Sequence, residues 1–508
     1  MSMIELERRD PPGAARAAMM LQRAHWAAEL FARYDRERVV RILDAVSAAA
    51  EAHAERYAEE AVAETGMGVV EHKTLKNRML SRGLWDHYRD HDFVSPRIDA
   101  EAKILELPRP AGVIFALTPI TNPVATIYFK VMLALMTRNA IVVSPHPGAR
   151  HVCADAVRML SDAAVRAGAP DGCIQIVEDP SIPLIEALMT DPTTDVVVAT
   201  GGSAVVRAAY RSGNPALGVG PGNVPSFVDA TADVSAAARQ IVDSKSFDNS
   251  ILCTNESVVI VEEEVADQLE RELRKHGGHV LTIAEAEQAR EHLFPAGRMR
   301  LDLIGKSALE LAEAAQLKVP ATTRILVAPF SLVVPEEPLA HEKLFPLLGL
   351  VRVPNTRAGI SAAQAMLRIT GAGHSASIHS RDARTIMAYG AAVKVLRVSV
   401  NVGNSLGSAG ALTNLSPTMT IGTGFYGRSS IGENLEPRHL INLMRVAYNA
   451  DPSVPFDDFT GLEPWVLDAA AAAHAAPAEA APHSPETDLI REEIRRVILE
   501  ELKELTRQ

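Results

Sequence analysis

Apolar and polar positions change period along this chain, and the changes divide it. Over the first 90 residues the pattern is helical. Residues 14–31 and 36–65 are rich in Ala, Glu, Arg and Leu, and Gly66 and Gly68 punctuate the second run. Short apolar blocks then take over. Residues 112–118, 140–144, 174–177, 195–200 and 224–228 predict buried strands. Helical patterns at 123–137, 151–167, 181–189 and 203–211 lie among them. This alternation predicts a parallel sheet with helices on both faces.

A second alternating stretch follows. Helices are expected at 234–245, 263–275 and 358–369, and strands at 257–261, 324–328, 375–378 and 393–398. Two α/β lobes in one chain invite a ligand cleft between them. From 468 to 485 the chain is mostly Ala, Pro and His, the composition of a linker. In 486–508, Leu489, Ile490, Ile494, Val497, Ile498, Leu502 and Leu505 recur at helical steps and predict an amphipathic helix.

Composition narrows the function. The 508 residues are 47% hydrophobic and 22% charged, as in an ordinary globular protein. A net charge of −12 argues against broad binding to nucleic acid. No apolar run is long enough to span a bilayer and no secretory signal opens the chain, so a soluble protein of the cytoplasm is expected. Three scattered cysteines, Cys153, Cys173 and Cys253, form no disulfide framework, and no metal site is expected.

Cys253 stands between a predicted helix and a strand, a junction that often carries function. Cys153, inside a helical pattern, and Cys173, just before a strand, read as small buried apolar residues. After the strand at 195–200, Gly201, Gly202 and Ser203 lead into a helix, where free N–H groups and close backbone approach suit an anion.

The segment FDNSILC ending at Cys253 resembles the catalytic-cysteine segment of CoA-acylating aldehyde dehydrogenases. So do Glu64–Glu71 (ETGMGVVE), the loop Pro119–Pro123, the SPHP turn at Ser144, the GVGPGN loop at Gly218, HEKLFP at 341–346 and GHSASIH at 373–379. The likeness covers roughly residues 15–450. It implies two Rossmann-like α/β lobes, an oligomerisation hairpin near 93–109 and a C-terminal amphipathic helix. The implied division is a cofactor-binding domain over 1–228, a catalytic domain over 229–425 and a return segment over 426–467 packing on the core and oligomer interface.

The resemblance also implies the chemistry. Cys253 is the nucleophile, the Asn122 amide and the Cys253 N–H are oxyanion donors, and His374 helps deprotonate the CoA thiol, although a structural histidine fits that position equally. Thr118, Pro119, Ser144, His146, Gly201, Gly202, Ser203, Gly218, Gly220 and Glu342 hold NAD; Arg150 near the ribose turn leaves NADP open. Gly218 stands where hydrolytic relatives carry a water-activating glutamate, which favours CoA over water as acyl acceptor. The alternatives are a hydrolytic dehydrogenase and a catalytically idle scaffold. The expected partners are a small aldehyde, CoA and further copies in a homodimer or homotetramer, with no nucleic acid and no membrane. The linker and helix at 468–508 resemble an encapsulation peptide that addresses cargo to microcompartment shell proteins. Seven acids against five bases in 486–508 disfavour an anionic membrane as the partner.

Overall fold

The computed structural model describes residues 13–462 and Pro464. The expected linker at 468–485 and helix at 486–508 lie outside the described residues. Two parallel sheets organise the rest. The first runs in the order Ile174–Ile176, Ala140–Ser144, Val113–Leu117, Val196–Thr200, Ala216–Val219. Its strands are buried on both faces; Val113–Leu117 and Ala140–Ser144 have no exposed position. That explains runs of unbroken apolar residues in place of alternation.

The helix Pro123–Met136 is buried at every position. A helix apolar all round must sit inside a core. Pro123 opens it, with φ preset and no N–H to satisfy. The residue before it, Asn122, therefore lies at the helix start, at an end of the first sheet.

The second sheet runs Gly278–Val280, Ile325–Pro329, Leu347–Val353, Glu256–Glu262, Val224–Val228, Ala376–His379, Val398–Val400, again with parallel neighbours. Val224–Val228 thus belongs to the second sheet, and the boundary between sheets falls ahead of it, not after 228. Between the last strand of one sheet and the first of the other run only residues 220–223, so the backbone crosses there in one short step.

A third, antiparallel sheet pairs Arg97–Asp99 with Ile104–Pro110, and Ile104–Pro110 with Ile441–Ala447. The hairpin near 93–109 and a strand of the return segment thus meet in one sheet.

Three expectations need correction. The run 36–65 is two helices, Arg36–Ala52 and Ala54–Thr65. The helix breaks at His53 (φ −103°, ψ 9°), whose ring bonds to the Ala49 carbonyl at 2.8 Å. A one-residue break leaves the apolar period almost untouched, so the pattern cannot reveal it. The strand at 393–398 begins only at Val398, because the Val395 amide bonds back to the Val393 carbonyl (2.9 Å) and turns the chain. Gly218 lies within the edge strand Ala216–Val219, not in a loop.

Glycine positions make the packing testable. Gly359, in the helix Thr356–Ile369, faces Phe227, and a β-carbon there would come within 2.3 Å of the ring. Gly359→Val is expected to destabilise the protein by about 1–3 kcal/mol through overpacking. Gly390, in the helix Ala383–Ala392, faces open space. Gly390→Ala is expected to stabilise it by about 0.5–1 kcal/mol. Chemical denaturation midpoints read both; a Gly359→Val protein as stable as the parent contradicts the packing.

Candidate active site

In the first sheet the chain leaves Val113–Leu117, builds two strands to one side, and returns to build two on the other. At such a switch point the loops after neighbouring strands part and leave a crevice. A cavity of about 400 Å³ lies there. Thr118 and Pro119 come from the end of Val113–Leu117, Ser144 and His146 from the end of Ala140–Ser144, and Gly201 and Gly202 from the end of Val196–Thr200; all line the cavity. Gly220, Asn122, Cys253 and Glu342 line it too.

Three expected residues do not. Ser203 is exposed at the start of its helix. A β-carbon at Gly218 would meet the Tyr210 ring and Val206 at 2.9 Å, so a side chain there runs into the helix Ser203–Arg211. His374 is fully buried outside the lining, with Nδ1 3.0 Å from the Ser375 hydroxyl. Burial, aided by Arg397, pushes its pKa down to about 3.

Cys253 is partly exposed, whereas Cys153 and Cys173 are buried. The loop before it is unusual: Asp248, Asn249 and Ser250 take φ of 49°, 50° and 66° in succession. Three consecutive non-glycine residues in the left-handed region cost energy and persist only when their surroundings enforce them. The surroundings are visible. The Asn255 amide donates to the carbonyls of Ser250 (3.0 Å) and Leu252 (2.6 Å), and the Ser250 hydroxyl donates to Asn255 Oδ1 (2.8 Å). The Asp248 carboxylate accepts from the Val69 N–H (2.7 Å) and from Lys73 (3.2 Å), and it is in direct contact with Lys76. Burial opposes ionisation of Asp248, but Lys76, Lys73 and the Val69 N–H hold its carboxyl below the usual range.

Asn122 shares this network. Its Oδ1 accepts from Lys76, and its Nδ2 donates to the Ile251 carbonyl at 3.3 Å. On the opposite side, Gly222 packs so closely that a β-carbon would come within 2.0 Å of the Cys253 carbonyl oxygen. The Gly222 N–H donates to Glu342 Oε1 at 3.1 Å. Burial, offset in part by that N–H and by Lys245 and Lys343, pushes the Glu342 carboxyl up to about 7. Burial, with Glu342 second, pushes the Cys253 thiol up to about 12.

The cavity also carries buried hydroxyls that invite a polar ligand. Thr118 Oγ1 and Ser144 Oγ line it and make no hydrogen bond. Buried polar atoms are nearly always satisfied, and two side by side at a ligand cleft fit sugar hydroxyls or phosphate. Gly201 and Gly202 have no close neighbour where a β-carbon would stand, so a ligand's backbone contact is open there. A nicotinamide dinucleotide fits this set. Among the described residues no group of three or more His, Cys, Asp or Glu is placed to hold a metal ion. No described helix is long and apolar enough to cross a membrane.

Sequence reasoning missed Lys73, Lys76, Asp248 and Gly222. The two lysines lie just past the ETGMG segment. Their only sequence signal is a three-residue spacing on a helix otherwise short of apolar residues, which reads as a solvated face.

A model of the aldehyde dehydrogenase family matches residues 11–412. An aldehyde-alcohol dehydrogenase of Clostridium acetobutylicum is 37% identical over 83% of this chain and 49% of its own length, so the chain spans about half of that relative. A succinate-semialdehyde dehydrogenase (acetylating) of Clostridium kluyveri is 36% identical over 86% of this chain and 96% of its own. The crystal structure of an acetylating aldehyde dehydrogenase from Geobacillus thermoglucosidasius superposes with TM-score 0.84 at 35% identity, covering 86% of this chain and 97% of that one. A propionaldehyde dehydrogenase from the fucose-utilisation microcompartment of Clostridium phytofermentans gives TM-score 0.78 at 26% identity, covering 85% and 97%.

The electrostatics at Cys253 yield a measurement. With the thiol raised, alkylation of the ligand-free protein by iodoacetamide is expected to be slow at pH 7 and to quicken about tenfold per pH unit, because the thiolate is the reacting species. Glu342→Gln removes the adjacent negative charge and is expected to raise the alkylation rate several-fold at any given pH above 7. A rate that plateaus near pH 7 in the parent, or that Glu342→Gln leaves unchanged, contradicts this arrangement.

Proposed function

The chain belongs to the aldehyde dehydrogenase family, and from that premise we propose that it oxidises a short-chain aldehyde to the acyl-CoA thioester. The observation that carries the reading is the meeting of Cys253 and Asn122 in one cavity with the unsatisfied hydroxyls of Thr118 and Ser144.

In this mechanism the Cys253 sulfur attacks the aldehyde carbonyl; the S–C bond forms, the carbonyl π bond becomes an oxyanion and the thiol proton leaves. The Asn122 amide and the Cys253 N–H donate to that oxygen. Thr118, Ser144, His146, Gly201, Gly202 and Glu342 hold a nicotinamide dinucleotide, which supplies the two-electron acceptor for the chemistry. Cys253 then carries the acyl group as a thioester. The CoA thiol attacks that carbonyl, the bond to Cys253 breaks and the cysteine is released.

Acyl transfer to CoA, and not to water, is supported by the relatives named as acetylating. Work inside a microcompartment is supported by the likeness to the propionaldehyde enzyme of one and by the composition of 468–508. Assembly into a homo-oligomer is supported by the strand Ile441–Ala447, which among the described residues pairs on only one side. Fusing residues 484–508 to a fluorescent protein tests the address: a fusion that stays diffuse in cells making the shell, where the full enzyme is enclosed, contradicts it.

Cys253→Ala is expected to abolish CoA-dependent aldehyde oxidation and spare dinucleotide binding, and the parent is expected to show an acyl adduct on Cys253 by mass spectrometry. Mixing enzyme, aldehyde and NAD without CoA is expected to give about one NADH per active site and then slow turnover. Fast continuing turnover to free acid points to hydrolysis. Asn122→Ala is expected to lower kcat on the order of 10²–10³-fold with little change in dinucleotide affinity.

A further inference from the structure

We infer that Lys76 is a positioning residue for the oxyanion donor: its side chain fixes the direction of the Asn122 amide and polarises it toward Cys253. The inference rests on the reading of Cys253 and Asn122 given above.

The direction of the amide follows from the chemistry of its neighbours. A lysine side chain offers donors and no acceptor, so the Asn122 atom facing Lys76 is the oxygen. A carbonyl offers only acceptors, so the atom facing Ile251 is the nitrogen. With the oxygen taken by Lys76, the N–H groups face the Ile251 carbonyl of the cysteine loop and the Thr121 hydroxyl. They are loosely held there, at 3.3 Å from the Ile251 carbonyl and 3.3 Å from the Thr121 hydroxyl. The end of the amide that must meet a developing charge is thus the loosely held end, and the opposite end is clamped.

Lys76 is itself clamped. It is 2% exposed, on the helix Val70–Arg78, and ion-paired to the fully buried Asp248. Lys73, one turn earlier, pairs with the same carboxylate at 3.2 Å and donates to the Thr121 carbonyl at 3.0 Å. The Asp248 N–H donates to His72 Nδ1 at 2.9 Å, and the His72 ring stacks on Phe247. Two lysines share one carboxylate behind Asn122, in a region of low dielectric where charge acts strongly; burial, with Lys76 beside it, pulls the Lys73 pKa down to about 8. A void of about 10 Å³ beside these residues has room for at most a single water, so solvent does not stand in for the lysine. A hydrogen bond from a charged donor withdraws electron density through the amide and strengthens the N–H groups at its other end.

This motif at residues 64–76 therefore has a task near the chemistry without touching substrate. Its action is measured best without any dinucleotide. 1,1,1-Trifluoroacetone adds reversibly to a thiol: the S–C bond forms, the carbonyl π bond opens and the thiol proton leaves, giving a tetrahedral adduct whose oxygen ionises. Its inhibition constant against Cys253 reports stabilisation of that oxygen.

Asn122→Ala is expected to weaken this constant on the order of 100-fold, and Lys76→Met roughly 10–30-fold. In the double variant Lys76→Met is expected to add less than twofold to the loss from Asn122→Ala, because its effect passes through the amide that is gone. Dinucleotide affinity is expected to stay unchanged throughout. If Lys76→Met does not fold, Lys76→Gln, which keeps a neutral donor in place, is read on the same scale and is expected to lose roughly 3–10-fold. Full ketone affinity in the Lys76 variants overturns the inference. So does an equal loss in the presence and absence of Asn122, which assigns Lys76 a role that bypasses the amide. An Asn122→Ala enzyme with parental ketone affinity overturns the oxyanion reading, and this inference with it.

Discussion

A single carboxylate sealed from water sets the geometry on which this site depends. Asp248 is fully buried, and a buried charge without partners is very costly. Its partners, Val69, Lys73 and Lys76, lie just before and along one short helix, Val70–Arg78. Satisfying the charge therefore forces the loop ahead of Cys253 against that helix, whatever backbone conformation this requires. The conformation required is three left-handed residues in a row. Gly68 closes the same contact from the other side: at φ +83° its missing β-carbon leaves room for Asp248 Oδ1, which would stand 2.3 Å away. The ETGMG glycine and the strained loop are thus two halves of one fit.

The rest of the cavity follows from strand direction. Parallel strands end on one edge, and their trailing loops converge there without any need for sequence proximity. Thr118, Ser144 and Gly201 reach one cavity because each follows a strand of the same sheet. Cys253 comes from a different route, through the chain crossing at 220–223 and the loop before Glu256–Glu262. The closeness of Gly222 to the Cys253 carbonyl oxygen holds the two routes together.

What was legible in the sequence divides along physical lines. Ala140–Ser144, Val224–Val228 and Glu263–Lys275 appear at the bounds read from the pattern, because burial alone decides them. Leu347–Val353 was missed because Gly349 and the ion-paired Arg352 interrupt its apolar run. The end of a strand at Val395 and the break at His53 depend on single hydrogen bonds, which periodicity does not register. At the site, residues whose backbone follows a strand were legible, and most of them line the cavity. Gly218 and Ser203 were placed in the right neighbourhood, but one turns to Tyr210 and the other to solvent. The lysines of the Asp248 network were not legible at all: a charged residue on a helix reads as surface until the tertiary fold shows what is packed on it.

The charges around Cys253 favour one stage of a reaction over another. Burial and Glu342 disfavour a resting thiolate, so the free protein keeps a quiet thiol, less open to oxidation than an exposed thiolate. The opposite holds a few bonds away. Once a carbonyl has been attacked, negative charge moves from sulfur to oxygen, from the side of Glu342 toward the amide of Asn122 and the lysines behind it. Stabilisation that appears only after the attack, when the charge sits on oxygen, is the kind that raises a rate. The network that strains the backbone at Asp248–Ser250 and the one that orients Asn122 are the same, so the strain is held by the ion pairs that also shape the oxyanion site.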